Sequence, residues 1–314
     1  MKKLLSAMLF TLSGIAVSSS VSAETLDISY VQSPFNLQMI VMKEHGLLEA
    51  EMAKQNVIVK WHEITSGSQQ AQALASGDLD IAGVINTASV LMANGAGNPV
   101  RVLAGVSRPT DTFAIVGRKN GPSTIAELKG KKIAGPKGTV LHQTLVAALA
   151  KEGMSIQDVE FLQMGIPQAF AALQSGQVDA ALLAAGAIMN AEREGARTIT
   201  TATGLTVPTL VMATSENVAT AHPNWIAAVI RAHDQAAHWI AANKDAAIAL
   251  GAKQQGVSMD EAKTLYDWAH FTQRLTPDDL NNLQTEMQFM LDNDLMRKPV
   301  DIKAIILPQA MQTN

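Results

Sequence analysis

Residues 73–82 read ALASGDLDIA, and residues 172–181 read ALQSGQVDAA. The two stretches are identical at six of ten positions: the Ala-Leu pair, the Ser-Gly pair, the Asp and the final Ala. In each, an apolar helical segment meets a Gly, a residue that ends helices in a left-handed turn, and a short apolar strand follows. One copy is a common helix-to-strand connector, but two copies in the same context predict two similarly built lobes.

The sequence around these repeats predicts strands that alternate with helices. Period-two or continuous apolar patterns predict strands at 26–31, 57–64, 81–85, 100–106, 112–116, 133–134, 159–163, 180–183 and 198–200. Helical periodicity falls between them, for example at 37–43, 69–75 and 140–151, and almost everything after Trp225 has a helical pattern. This alternation predicts an α/β fold with mostly parallel sheets.

Composition excludes several classes of protein. The length of 314 residues is enough for about two domains. With 47% hydrophobic and 17% charged residues, the chain is apolar enough for a sizeable core and too apolar to be disordered. The net charge of −4 argues against general affinity for nucleic acid, which requires a basic surface. Cys is absent, which excludes disulfides, thiolate metal sites and Cys nucleophiles.

The N-terminus predicts export. Lys2 and Lys3 precede a mostly apolar run, and the small residues Val21-Ser22-Ala23 close it. This is the pattern of a signal peptide cleaved after Ala23, whereas the apolar run is shorter than the ~20 residues of a membrane-spanning helix. Cleavage of residues 1–23 would remove two lysines and no acids and so change the net charge from −4 to −6. We expect a soluble periplasmic protein.

The mature chain resembles a known family over most of its length. The matching stretches are 30–36 with 42–48, 67–80, 125–134 with 137–139, 175–180, 291–296 and 298–301. In their order and spacing they are similar to the solute-binding proteins of ABC importers for sulfonates, taurine, nitrate and thiamine precursors. No single motif among them is decisive.

The resemblance implies an α/β, two-lobed type II periplasmic binding protein fold with two hinge crossings. The crossings are expected as extended segments near 110–115 and 206–214. One lobe would comprise residues 24–112 and 214–314, and the other 113–213. The resemblance further implies a monomer without cofactor or metal, which binds a small anionic ligand and passes it to a membrane ABC permease.

The turns between strands and helices are the candidate ligand-binding segments. A helix N-terminus offers unpaired N–H groups and partial positive charge, and a Gly there lets an anion approach the backbone. Each such turn can equally be an ordinary helix cap. Lys137-Gly138-Thr139 is the strongest candidate because it adds a full positive charge. The expected ligand-binding residues are Gln32, Phe35, Asn36, Gly67, Ser68, Asn86, Thr87, Lys137, Gly138, Thr139 and Gly186.

Three other features are open to two interpretations. Arg108 could pair with a ligand carboxylate or sulfonate, or be a solvated surface residue. His142 could contact the ligand or be a satisfied helix residue. Residues 184–187 (AAGA) are small where sulfonate-binding relatives often carry aromatic residues or proline. They could pack closely against a helix, or they could widen the cleft for a bulkier acid.

Two other functions are open to a chain of this kind. A cofactor-free secreted enzyme on the same scaffold would need a nucleophile–base pair or a metal set. His233 and His238 are five residues apart, a spacing that does not place both on one helix face for a metal, and the mature chain has no G-x-S-x-G motif. A receptor for a thiamine precursor or another neutral ligand would need aromatic stacking in the cleft. The sequence therefore favours a receptor for a small oxyanion, but it does not identify the ligand.

Overall fold

The structure, a computed structural model, describes residues 23–64 and 66–312. The predicted signal peptide lies outside the described residues except for Ala23. Within residues 23–64 and 66–312, no helix is both long enough and apolar enough to cross a bilayer.

The first sheet has five strands in the order β2-β1-β3-β10-β4. The strands are β1 (Glu24–Tyr30), β2 (Val57–Glu63), β3 (Ile81–Asn86), β4 (Val100–Ser107) and β10 (Leu210–Ser215). β1 runs parallel to β2 and β3, while β10 lies antiparallel between β3 and β4.

The second sheet repeats this topology with the order β7-β6-β8-β5-β9. Its strands are β5 (Phe113–Gly117), β6 (Lys132–Gly135), β7 (Glu160–Gln163), β8 (Ala180–Ala184) and β9 (Arg197–Thr201). β6 runs parallel to β7 and β8, and β5 lies antiparallel between β8 and β9. The repeated sequences lead into β3 and β8, which hold the same place in the two sheets.

The prediction of mostly parallel sheets is confirmed, since four of the five strands in each sheet run in the same direction and one runs antiparallel to them. The antiparallel strand in each is the one that enters directly from the other sheet: β5 follows β4, and β10 follows β9. A strand reached by a short crossing, without a helix to carry the chain back along the sheet, runs opposite to its neighbours.

Twelve helices occur within the described residues, and they cover both faces of each sheet. They are α1 (Leu37–Glu44), α2 (Leu47–Ala53), α3 (Gly67–Ser76), α4 (Thr87–Gly95), α5 (Val140–Lys151), α6 (Ile166–Gln174), α7 (Gly186–Arg193), α8 (Glu216–Ala221), α9 (Pro223–Ala242), α10 (Lys244–Gln255), α11 (Met259–Ala269) and α12 (Pro277–Asp292). One apolar core joins the first sheet to α1, α2 and α9–α11, and another joins it to α3, α4 and α12. The second sheet is packed between α5 on one face and α6 with α7 on the other.

The chain passes from the first sheet to the second between Ser107 and Phe113 and returns between Thr201 and Leu210. These two crossings confirm the two-lobed fold class. The first is not wholly extended, since Thr110–Thr112 forms a 3₁₀ turn. The sequence limits of the lobes, 24–112 with 214–314 and 113–213, stay a prediction.

The helical pattern after Trp225 ends at Asp292. Residues 293–312 instead form an irregular tail with a single 3₁₀ turn, Pro308–Ala310. This tail runs back beside the first sheet, where Ile306 bridges to Val102.

Candidate ligand-binding cleft

Six helix starts follow the carboxyl ends of parallel strands, three in each lobe. α1, α3 and α4 follow β1, β2 and β3, and α5, α6 and α7 follow β6, β7 and β8. Strands that run parallel end at the same edge of their sheet, and this edge is where open α/β sheets bind ligands. The predicted ligand residues lie in five of these six segments, all except the start of α6.

The turn after β1 is held by Asn36. Its buried amide donates to the carbonyls of Val31 at 2.9 Å and Ser33 at 2.8 Å. Phe35 is 2% exposed and packs in the core against Gly251 of α10. The contact is close, since a Cβ added to Gly251 would lie 2.6 Å from Phe35 Cζ. Gln32 is partly exposed and accepts a hydrogen bond from Gln255 at its carbonyl. Asn36 thus stabilises the turn by hydrogen bonds and Phe35 stabilises it by core packing. Of these three residues, Gln32 has the largest exposed surface for a ligand.

The starts of α3 and α4 lie against each other. A Cβ on Gly67 would come within 2.5 Å of Ser89 Oγ and 2.7 Å of Asn86 Nδ2, so a larger residue there would have to displace one of these side chains. Ser68 is exposed, and its hydroxyl lies 2.9 Å from that of Ser66. Asn86 caps α4 by accepting from Ser89 N–H at 2.8 Å. The structure thus brings Gly67, Ser68 and Asn86 together.

The turn before α5 has the features of an anion site. Gly138 has φ +74°, a left-handed conformation, and nothing lies within 4 Å of the position its Cβ would take. Thr139 donates its hydroxyl to the Pro136 carbonyl at 2.9 Å. Lys137 is exposed and makes no ion pair within the part of the chain that the structure describes. Its charge therefore remains available for an anion.

His142, in the first turn of α5, contacts the segment Lys137-Gly138-Thr139 through the Gly138 backbone. The imidazole Nδ1 accepts the Gly138 N–H at 3.4 Å, and the ring lies 5.1 Å from that of Phe161. Burial, together with the charge of Lys137, lowers the pKa of His142 and favours the neutral ring. These contacts favour a satisfied helix residue over a direct ligand contact.

The turn before α7 forms part of the contact between the lobes. Ala185 has φ 50° and ψ −127°, a strained conformation for a residue with a Cβ. Its N–H donates to the Thr112 carbonyl at 2.9 Å, and its side chain belongs to the same apolar cluster as Phe35 of the first lobe. Beside it, Gly186 has open space where a Cβ would stand. This is compatible with a wide cleft wall at residues 184–187, which stays a prediction.

Glu286 on α12 and Gln143 on α5 are candidate site residues that the sequence did not predict. Glu286 Oε2 accepts the hydroxyl of Thr87, the first residue of α4, at 2.6 Å. Glu286 Oε1 accepts Gln143 Nε2 at 3.3 Å. Burial raises the pKa of Glu286 to about 7 although both hydrogen bonds act to lower it. A Glu on an amphipathic helix has no sequence signal that separates it from a solvated one, so only the fold reveals its position.

Arg108 fits neither of its two sequence interpretations. Its Nε donates to Asp279 Oδ1 at 2.6 Å, and Nη2 pairs with Oδ2 of the same carboxylate. Asp279 is 1% exposed and also caps α12 by accepting from Thr276 N–H at 2.7 Å. The guanidinium therefore ties the first crossing to α12 and is already paired. Within residues 23–64 and 66–312, no group of three or more potential ligand side chains could hold a metal ion.

Two lobes of repeated topology, joined by two crossings, define a periplasmic binding protein fold. A profile of the family described as NMT1/THI5 like matches residues 36–247, and the chain belongs to this family. This confirms the resemblance found in the sequence.

Curated relatives of this chain are named as binding proteins. A putative aliphatic sulfonates-binding protein of Escherichia coli K12 is 32% identical over 180 residues, which cover 57% of this chain and 54% of the relative. The taurine-binding periplasmic protein of the same organism is 33% identical over 137 residues, covering 44% and 42%. The matched region thus spans about half the length of these relatives, or less.

Solved structures match over nearly the whole chain. The aliphatic sulphonate-binding protein SsuA of Escherichia coli has a TM-score of 0.80 at 25% identity, with 92% of this chain and 99% of that one covered. The alkanesulfonate-binding protein SsuA of Xanthomonas axonopodis, bound to MOPS, has a TM-score of 0.79 at 24% identity, covering 91% and 99%. The desulfurization enzyme DszB shares the fold alone, with a TM-score of 0.70 at 19% identity and coverage of 91% and 97%. The same fold therefore serves binding proteins and an enzyme.

Proposed function

We propose that this protein is the periplasmic substrate-binding component of an ABC importer. It captures a small, sulfonate-like oxyanion between its lobes and delivers it to a membrane permease. The observation that carries the proposal is the segment Lys137-Gly138-Thr139. There a lysine without an ion pair among the described residues, a left-handed Gly and a helix N-terminus offer positive charge and N–H groups at one point. The names of the relatives support a sulfonate as the class of anion.

The proposal includes binding without catalysis. His142, the imidazole nearest the anion segment, accepts a backbone N–H, and its lowered pKa makes it a weak base. It is therefore not arranged to activate a hydroxyl nucleophile. Relatives at 30% identity or more are named as binding proteins, whereas the enzyme DszB is related by fold alone. The predicted signal peptide and the periplasmic relatives together support export.

A thermal-shift screen of the mature chain tests the function. The ligands are sulfonates, nitrate, phosphonates, carboxylates and thiamine precursors. A ligand at 100 times its Kd adds ~2.7 kcal/mol to the free energy of unfolding, so a true ligand gives a clear rise in Tm. Stabilisation by an oxyanion supports the proposal. Stabilisation by a neutral thiamine precursor alone, or turnover of any compound, would replace it with one of the two alternatives.

A further inference from the structure

Glu286 is an acidic side chain placed among predicted anion-binding segments. It reaches the start of α4 through Thr87 and the first turn of α5 through Gln143. Thr87 and Gln143 are 1% and 4% exposed, while Glu286 is only partly buried. A carboxylate that contacts the helix starts of both lobes lies in the cleft between them.

Among the residues that the structure describes, the carboxylate of Glu286 has no positive partner. Within the described residues, no Lys, Arg or His nitrogen lies within 4.0 Å of Glu286, and both of its hydrogen bonds come from uncharged groups. The elements packed around it offer little charge. α4 has no ionisable side chain, and neither has the crossing at residues 202–209. α5 has His142 and Lys151, and α12 has Asp278, Asp279 and Asp292.

These nearby ionisable groups have other partners or lie at the surface. Lys151 donates to the Gly204 carbonyl at 2.9 Å, and Asp279 pairs with Arg108. His142 is neutral when it accepts the Gly138 N–H, and Asp278 and Asp292 are exposed. Burial therefore acts on Glu286 without a counter-charge to oppose it, and it raises the pKa to about 7 although the two hydrogen bonds act to lower it.

Glu286 also changes where an anion can bind. It places a carboxylate at the N-terminus of α4, where the helix dipole would otherwise attract the negative group of a ligand. A ligand anion is then expected at the segment 137–139 and at Ser68. A second negative charge in the same cleft repels that anion unless a positive group stands beside it.

We infer, on the basis of the proposed function, that Glu286 is a specificity-determining residue that binds an ammonium group, so that the preferred ligand is a zwitterion with its anionic end at Lys137-Gly138-Thr139. An ammonium supplies the missing counter-charge and donates to the carboxylate oxygens. An anion without an amino group has no such partner and leaves the two negative charges unscreened.

Matched pairs of ligands test this by calorimetric titration of the mature chain. The two compounds of each pair carry the same acid group, and only the first has an amino group. The pairs are taurine and ethanesulfonate, 2-aminoethylphosphonate and ethylphosphonate, and β-alanine and propionate. For the acid group that the protein binds, we expect the amino compound to bind roughly tenfold to a hundredfold more tightly than its amino-free partner. This is the range of one charge-assisted hydrogen bond. Glu286→Gln should abolish that preference. Asp292→Asn, an exposed carboxylate on the same helix, should keep it.

Proton exchange on binding gives a second readout that does not depend on a variant. An ammonium that binds the carboxylate favours its ionised form, so wild-type protein near pH 7 should release protons with the amino ligand. The comparison is the apparent heat in two buffers of different ionisation enthalpy. If Glu286→Gln does not fold, this measurement and the wild-type ligand pairs still decide the inference.

The outcomes separate this inference from the proposed function. If sulfonates bind and the amino group brings no gain, or if proton uptake accompanies the amino ligand, the role of Glu286 is wrong and the proposed function stands. Tighter binding of the amino-free compound would instead make Glu286 a protonated donor to the anion. If wild-type protein binds none of the six compounds and no other oxyanion, the proposed function fails, and the inference fails with it.

Discussion

Gln143 on α5 and Glu286 on α12 are joined by a hydrogen bond of 3.3 Å between Nε2 and Oε1. α5 packs on β5 and β8 of the second sheet, and α12 packs on α4 of the first, so this bond connects the two lobes. Arg193 on α7 and Glu261 on α11 form an ion pair that also connects them. The structure is therefore a conformation in which the lobes touch, as they also do where Ala185 joins the apolar cluster of the first lobe.

The first prediction concerns closure. A ligand shifts an open–closed equilibrium only by its differential affinity for the closed state, and contacts to both lobes supply that difference. Saturating ligand should therefore lower the radius of gyration measured by small-angle X-ray scattering. A compound that causes no thermal shift serves as the control and should leave the profile unchanged. Identical profiles with and without bound ligand would contradict the hinge mechanism.

The second prediction concerns Lys137. Lys137→Ala should weaken binding of the oxyanion by about 1.5–3 kcal/mol, because a charge-assisted contact is lost. Gly138→Val should also weaken it, because a β-branched residue opposes φ +74° and blocks approach to the backbone. Calorimetric titration measures both variants after their Tm is checked. Lys131→Gln, before the amino end of β6 at the opposite edge of the sheet, should bind like wild type. Unchanged affinity in both test variants would move the site elsewhere.

The third prediction concerns Asp279. Burial favours the neutral acid, but hydrogen bonds from Arg108 and Thr276 outweigh it and hold the pKa of Asp279 below its usual value. Because the folded pKa is depressed, this stabilisation is present above the unfolded pKa of about 4 and is lost as the pH falls through the folded value. Asp279→Ala should cost about 3–5 kcal/mol near neutral pH, since it leaves Arg108 without its partner.

Urea unfolding of Asp279→Ala and wild type at neutral and acidic pH measures the effect. The difference in the free energy of unfolding between the two proteins should become smaller at acidic pH. Asp278→Ala, an exposed neighbour in the same helix turn, should change the free energy of unfolding by less than about 1 kcal/mol. A gap that stays constant with pH would show that the ion pair is not its source.

The fourth prediction concerns His233 on α9. This side chain is 0% exposed, and neither ring nitrogen has a hydrogen-bond partner among the described residues. Burial lowers its pKa to about 4. The unfolded chain thus binds more protons between about pH 6.5 and 4, so stability falls as the pH drops through that window, by about 3 kcal/mol in total.

His233→Leu should remove this dependence of stability on pH. Near neutral pH the variant should be as stable as wild type or more stable, since two unsatisfied nitrogens are removed from the core. The measurement is the free energy of unfolding against pH. His238→Leu, at an exposed position of the same helix, should retain the wild-type slope. An equal slope in His233→Leu would assign the acid sensitivity to other groups.

The fifth prediction concerns the cleft wall at residues 184–187. If these small residues line the pocket, Ala187→Trp should fill it, weakening a bulky sulfonate while sparing a short alkanesulfonate. Overpacking alone can cost ~1–3 kcal/mol, so the readout is the ratio of the two affinities on one folded variant. Equal losses for both ligands would mean that Ala187 is a packing residue.

The order of elements could be predicted from the sequence because its signals are local. The apolar pattern placed α5 at residues 140–151, where the structure also has it, and the repeated Ser-Gly-x-x-Asp turns predicted two similar lobes. A turn before a helix can be predicted from the local sequence in the same way, as Lys137-Gly138-Thr139 illustrates. What such turns do not reveal is whether a side chain faces the ligand or the core, as Phe35 and Asn36 demonstrate.

The tertiary structure alone decided which strand of each sheet runs antiparallel and which charges meet in the cleft. The antiparallel placement of β5 and β10 depends on crossings between sheets, which leave no local pattern. Thr87 and Glu286 are 199 residues apart in sequence, and Arg108 and Asp279 are 171 apart. Whether a carboxylate meets a guanidinium or remains without a cation depends on which helix packs beside it. Sequence periodicity determines which face of a helix is buried, but the charged partner it meets there is fixed only by packing.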